Sequence, residues 1–306
     1  MALTTVSNFA GKSAGFYISA ALKEAKSLEY LTMIENIKYK SNIQKMNATS
    51  MIQDASCDVN LAGTLALTEN VLEPKLLMIQ TDLCKSTLLD SWEALEMKAG
   101  TGAMPPASFN DYVISYLGEI IANGVEDSVW SGSGAALSGT FLGFLDAAAG
   151  YISTGVGIVP SVATGAYTAG NIIGEIQTLM TDWMASATAV NIQGREDTYI
   201  YMSRKTFSLY VSAIALLTNT PWANMNEDWT PVFEGQKIVV LPGFPDNQLV
   251  AAQKSNLYFG TDLLSDKTRI DLLDMSQNDG SDNVRVICRY SAGVQTGINA
   301  DIVWQA

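Results

Sequence analysis

The residues that could carry chemistry are few, and their spacing argues against most of it. Gly11-Lys12-Ser13 ends as a phosphate-binding P-loop ends, but the position of that loop's first glycine is Val6, so the backbone cradle is missing. Gly132-Ser133-Gly134 and Gly155-Val156-Gly157 lack the third spaced glycine of a dinucleotide fingerprint and read as turns. The carboxylate clusters are Glu126-Asp127, Glu227-Asp228 and Asp279/Asp282. Adjacent helix positions point about 100° apart, so Glu126 and Asp127 are no ready acid/base pair, and all three clusters read as surface charges or subunit contacts. No stretch has calcium-loop spacing. The chain contains no histidine, which removes Ser-His-Asp and Cys-His triads and His-ligated zinc. Cys57, Cys84 and Cys288 show no CxxC spacing and read as reduced, buried small hydrophobes. No cofactor, metal or catalytic residue is expected. An enzyme built on this chain would be confined to carboxylates, Lys, Tyr and Ser.

The 306 residues correspond to about two domains or one large one, long enough to form a core without disulfide or metal staples. Hydrophobic residues make up 48% and charged ones 16%, against a typical ~25% charged; mean hydropathy is +0.14. So little charge implies that some apolar surface is buried against other subunits. The net charge of −13 repels DNA phosphates at long range. It is unevenly spread: residues 1–100 hold nine lysines against eleven acids, residues 101–306 nine basic residues against twenty acids, with no Lys or Arg between Lys98 and Arg195. Contact with nucleic acid is expected outside that interval.

Met-Ala-Leu-Thr-Thr lacks the basic and apolar regions of a signal peptide. The uncharged stretch 147–174 is Gly-rich, holds Pro160 and reads as irregular loop; the apolar part of 206–226, Phe207 to Leu217, is too short to cross a bilayer and reads as a buried helix. These features suggest a soluble protein made in the cytoplasm.

The periodicities place the elements. Phe16, Ala20, Ala25, Leu28 and Leu31 fall near helical spacing in a lysine-rich N-terminal arm. Thr49 to Leu83 suits a long two-stranded hairpin with Asn60-Leu61-Ala62-Gly63-Thr64 near its tip, and such a hairpin, marginal alone, is expected to pack on a partner if it protrudes. Ser108-Phe109-Asn110-Asp111 resembles a capping box before a helix of ~20 residues to about Trp130, ended by Ser131-Gly132-Ser133-Gly134. A helix at about 169–185, a strand at 198–202 and a helix capped by Ser203 follow. Strands are expected at 237–241, 249–252, 257–259, 269–273 and 284–290, the last two joined through Asn278-Asp279-Gly280-Ser281-Asp282. Without a regular βαβ rhythm, the class is α+β.

In this order the elements resemble the major capsid proteins of tailed bacteriophages, the HK97-like fold. Glu126-Asp127-Ser128-Val129-Trp130-Ser131-Gly132-Ser133-Gly134, with Gly139-Thr140-Phe141-Leu142-Gly143-Phe144-Leu145, resembles that family's spine-helix end and entry into the axial domain. Asp246 to Gly260 resembles the exit from that domain, and Arg269 to Gly293 the long peripheral strands. Asp54-Ala55-Ser56-Cys57-Asp58, Leu67-Thr68-Glu69, Leu83-Cys84-Lys85, Trp92-Glu93-Ala94 and Pro105-Pro106 with Ser108, Phe109 and Tyr112 resemble capsid proteins of crAss-like phages.

The resemblance implies an N-terminal arm at 1–45, an extended loop at 46–85, a peripheral domain at 86–142 and 263–306, and an axial domain at 143–262. It also implies hexamers and pentamers that assemble in the host bacterial cytoplasm into the icosahedral head of a virion. Expected partners are a portal, separate scaffolding, minor or decoration proteins, and packaged dsDNA contacted weakly, with no membrane. Expected subunit contacts are Asn60, Leu61, Ala62, Gly63 and Thr64 at the loop tip and Phe16 and Leu28 in the arm. Many relatives carry a cleaved N-terminal scaffolding segment; none is expected here. Isopeptide cross-linking occurs in some relatives, and Lys75 and Lys85 lie in the half of the chain that would carry it, but nothing marks either as reactive and no cross-link is expected. The alternatives are an encapsulin-type nanocompartment shell, an acidic α+β enzyme with carboxylate chemistry, and a tail or sheath subunit.

Overall fold

Glu73-Pro74 is the corner from which the first half of the fold is laid out, because proline has no N–H to donate to a strand ladder. The computed structural model describes residues 26–49, 52, 54, 63–84, 107–186, 189–216, 231–262, 270–277, 280–281 and 283–306. A 3₁₀ turn at Lys26–Tyr30 leads into β1 (Thr32–Ile34), then β2 (Ser41–Thr49) and β3 (Thr64–Leu72). These last two pair antiparallel from Ser41↔Leu72 to Thr49↔Thr64. Past Pro74, β4 (Lys75–Cys84) leaves the hairpin and pairs instead with a distant strand, β12 below.

Two sequence expectations change here. The described end of the N-terminal arm is a 3₁₀ turn and a strand, not a helix; Leu31 is buried and β1 joins a sheet beside β10, so tertiary pairing overrides a short helical spacing. The hairpin begins at Ser41 and closes at Leu72, because Pro74 ends its second strand.

Helix α1 (Ala107–Ser131) has 25 residues, ~37 Å at 1.5 Å per residue. It stops where Gly132 must lie against the chain: a Cβ there would meet Phe141 O at 2.1 Å. Gly134 follows at φ +61°. Residues 147–171 run through turns with one short strand, β5 (Val159–Ser161). Helix α2 (Ile172–Ala185), β6 (Thr198–Ser203) and α3 (Arg204–Leu216) come next, with Thr206 N donating to Ser203 Oγ at 3.1 Å as the expected cap. Helix α3 is buried on one face only, through Thr206, Tyr210 and Ala213, while Leu216 is exposed; it is amphipathic, not a fully buried helix. Then follow β7 (Val232–Phe233), β8 (Gln236–Leu241), β9 (Leu249–Gln253), β10 (Leu257–Gly260), β11 (Ile270–Asp274), β12 (Asn283–Thr296) and β13 (Val303–Gln305).

The strands form a β2–β3 arm, a five-stranded sheet ordered β1-β10-β12-β11 with β4 on β12, and a six-stranded sheet ordered β5-β13-β9-β6-β8-β7. In the six-stranded sheet, alternation separates two cores. Tyr201, Val239, Leu241, Val250 and Ala252 join α1, Phe141, Phe144 and Phe259, while Ile200, Met202, Ile238, Leu249 and Ala251 join α2 and α3. Both faces are covered, which is why these strands read as continuous apolar runs. Trp130 is the hub of the first core, with ring centroids at 4.8 Å from Phe244, 5.4 Å from Phe144 and 5.5 Å from Tyr201. The fold is α+β.

Candidate assembly surfaces

Residues directly opposite in an antiparallel pair share a face. Met46 lies opposite Leu67, and Gln44 opposite Glu69, so Met46, Leu65, Leu67 and Val71 stand on one face of the arm. Met46, Leu65 and Leu67 are 68%, 57% and 61% exposed. The other face, with Ile43, Lys45 and Asn70, is half-buried. Of the expected tip residues, Gly63 and Thr64 are exposed, Gly63 at φ +86°. Asn60, Leu61 and Ala62 lie outside the described residues, as does Phe16. Leu28 is half-buried and packs on the core of its own chain.

A second surface lies on the five-stranded sheet. Alternation along β4 buries Leu77 toward the core and leaves Leu76 and Met78 exposed on the outer face. Arg289 stands opposite Met78, Ile287 opposite Gln80, and Arg285 opposite both Asp82 and Leu273. Arg285 donates to both Asp82 oxygens, at 2.7 and 2.9 Å, and this guanidinium holds the carboxyl below its usual range. Ile37, Pro74, Leu76, Leu273, Ile287 and Arg289 line an open groove of about 550 Å³ here, and the Lys38–Asp262 ion pair (2.6 Å) lies at its edge.

One carboxylate of the sequence clusters is placed differently from its reading as a surface charge. Glu126 is fully buried. It accepts Ser27 N at 2.9 Å, Ser27 Oγ at 2.7 Å and Gly243 N at 3.3 Å, and Trp130 Nε1 donates to the same Ser27 Oγ at 2.6 Å. Burial pushes this carboxyl above its ordinary value, against the pull of those donors. Gly243 must be glycine for this approach, since a Cβ would meet Glu126 O at 2.4 Å. The site ties three segments together: the turn at Ser27, α1, and the loop after β8. Sequence spacing could not show this, because the donors lie 99 and 117 positions away.

Glu175 on α2, with no mark in the sequence, is likewise buried. It accepts Thr164 N at 3.1 Å, the Thr164 hydroxyl, and Gln305 Nε2 at 3.2 Å. Gln305 accepts the Tyr167 hydroxyl at 3.2 Å, and burial raises that hydroxyl's pKa far above the ordinary tyrosine range. These carboxylates join elements and do not face a cleft. Glu227, Asp228, Asp279 and Asp282 lie outside the described residues. Cys288 is buried and Cys84 half-buried, while Cys57 is outside the described residues. Among the described residues no group of three His, Cys, Asp or Glu could hold a metal ion, and no described helix is long and apolar enough to cross a membrane.

Lys75 has a role that its spacing does not announce. Its Nζ donates to Gly134 O (3.0 Å), Ala135 O (2.7 Å) and Thr140 O (2.8 Å), pinning the loop after α1. All three donors of its ammonium are thereby used.

The sequence matches no protein-family model and no curated protein. The fold, however, is shared with solved capsids. It is similar to the capsid of Myoviridae phage XM1 at TM-score 0.61 and 12% identity, over 99% of this chain and 98% of that one. It is similar to the capsid of the native GTA particle at TM-score 0.61 and 12% identity, over 96% and 93%. A Gordonia phage Cozz structure follows at TM-score 0.59 and 10% identity, over 97% and 91%.

Proposed function

From a chain with the HK97-like capsid fold, we propose a structural and non-catalytic role: a major capsid protein that closes into the icosahedral head of a tailed phage. The observation that carries this reading is the β2–β3 arm, whose Met46, Leu65 and Leu67 face solvent on one side of an extended ribbon. Such a face has no use in an isolated subunit, where exposed apolar patches favour association. In a ring of copies it meets a complementary surface on the next subunit, a heterologous contact that generates closed assemblies. Leu76 and Met78, exposed beside the mixed polar and apolar groove, supply apolar side chains of that kind.

On this reading residues 1–45 form the arm, 46–85 the extended loop, 86–142 with 263–306 the peripheral domain and 143–262 the axial domain. Asn60 to Thr64 and Phe16 meet neighbouring copies. Hexamers and pentamers form in the host cytoplasm with a portal and any scaffolding or decoration proteins, and become the virion capsid. The acidic balance of residues 101–306 keeps the contact with packaged dsDNA weak.

Electron microscopy of the purified protein, beside its size-exclusion profile, tests the reading. Closed shells or free hexamers and pentamers are expected, and DNA-filled tailed particles from a native source. Shells enclosing a protein cargo instead would assign a nanocompartment, tubes a tail or sheath subunit, and a stable monomer at high concentration would sink every shell reading.

A further inference from the structure

Asn70 is the polar residue of β3 whose side chain hydrogen-bonds the body of the subunit. Its Nδ2 donates to two successive carbonyls, Thr296 O and Gly297 O, each at 2.8 Å, where β12 ends. A return bond crosses the same junction, from Gln295 Nε2 to Val71 O at 2.8 Å. The acceptors are themselves held: Gly297 N donates to Asn256 O at 2.9 Å, and Asn256 Nδ2 to Ile298 O at 2.7 Å. Leu72 is fully buried beside Gly260, where a Cβ would meet Leu72 Cδ2 at 2.7 Å and Ile37 Cδ1 at 2.8 Å. Lys45, on the facing strand, acts electrostatically on Asp301 of the turn before β13.

One hydrogen bond would let a ribbon pivot. Two bonds from one planar amide, with a third returning from Gln295, define an angle. Asn70 lies six residue steps from Thr64 at the far end of β3, ~20 Å at 3.4 Å per residue. A turn of ~10° at the root therefore moves the far end by ~3 Å, enough to unseat apolar side chains from a close-packed contact.

We propose that Asn70 is a positioning residue that sets the direction in which the β2–β3 arm leaves the subunit, and thereby decides whether its apolar face reaches the neighbouring copy. This rests on the shell reading above. The first test is made on the full chain with Asn70→Ala. Its subunit keeps a thermal midpoint well above that of Leu72→Ala, which opens a cavity at the same junction. Shells of the variant form only at about tenfold higher subunit concentration or more, because a loosened arm must be ordered at each contact it makes, and their diameters scatter. In a Leu67→Asn background Asn70→Ala adds nothing, because both act through one contact.

Wild-type diameters at wild-type concentration overturn the proposal, as do additive effects or a midpoint as low as that of Leu72→Ala. A second measurement needs no assembly. Spin labels at Thr64→Cys and Ser255→Cys, with the three native cysteines replaced, report a narrow distance distribution in the unassembled subunit that broadens with Asn70→Ala. An unchanged distribution overturns the proposal even where no shell forms, and an absent wild-type shell overturns only the shell reading.

Discussion

The β2–β3 arm and the six-stranded sheet follow the same two-residue alternation and use it differently. In β6, Ile200 and Met202 enter one core while Tyr201 enters the other, and all three are fully buried. In the arm, Met46, Leu65 and Leu67 share one face and remain more than half exposed. The sheet buries its apolar surface within the chain, so its contacts stabilise the subunit. The arm leaves its apolar surface uncovered, and under the proposed function that surface is where another copy docks. The low charge content of the sequence thus has two structural destinations, and only one of them is an internal core.

Substitutions should separate these two uses. Trp130→Ala, at the hub of the inner core, is expected to cost about 3–5 kcal/mol. Denaturant unfolding would show a large drop in midpoint, with no assembly because the subunit no longer holds its shape. Leu67→Asp in the arm should do the reverse. Its unfolding free energy should stay within ~0.5 kcal/mol of wild type, as for ordinary surface changes, while size exclusion shows loss of assemblies. A large loss of subunit stability in Leu67→Asp would mean that the arm packs on its own chain, and the contrast would fail.

The smallest expected effect concerns the joint between the N-terminal turn and α1. Burial raises the Glu126 carboxyl in the folded state above its ordinary value of 4.5. The folded protein therefore binds this proton more readily than the unfolded chain. The resulting contribution to stability is fully present below pH 4.5 and is lost as pH rises through the folded-state pKa. Glu126→Gln should flatten that part of the stability–pH curve, measured by urea unfolding at several pH values. An unchanged slope in the variant would show that Glu126 is not the group responsible.

Much of the layout was legible in the sequence because local patterns carry it. The end of α1 follows from Gly132 and Gly134, the Ser203 cap was visible beside its apolar run, and the strands from β8 to β11 fell close to their expected bounds, whereas β12 runs on past Tyr290 to Thr296. The order of these elements pointed to the capsid fold that the solved structures share. What stayed illegible depended on distant partners. Glu126 read as a surface charge, yet it is buried because Ser27 and Gly243 donate to it. Asn70 drew no notice in the sequence and Lys75 only as a lysine without a mark of reactivity; their roles come from carbonyls at 296–297 and 134–140.

By itself, the sequence determined the type of the longer elements, the α+β class, the absence of histidine chemistry and an apolar excess suited to association, because composition and short-range periodicity encode each of these. Only the tertiary structure decided which apolar faces are used internally and which are left exposed, where the chain leaves the hairpin at Pro74, and which carboxylates are buried. Those outcomes depend on pairing between residues scores to hundreds of positions apart, and strand periodicity alone does not specify the partner.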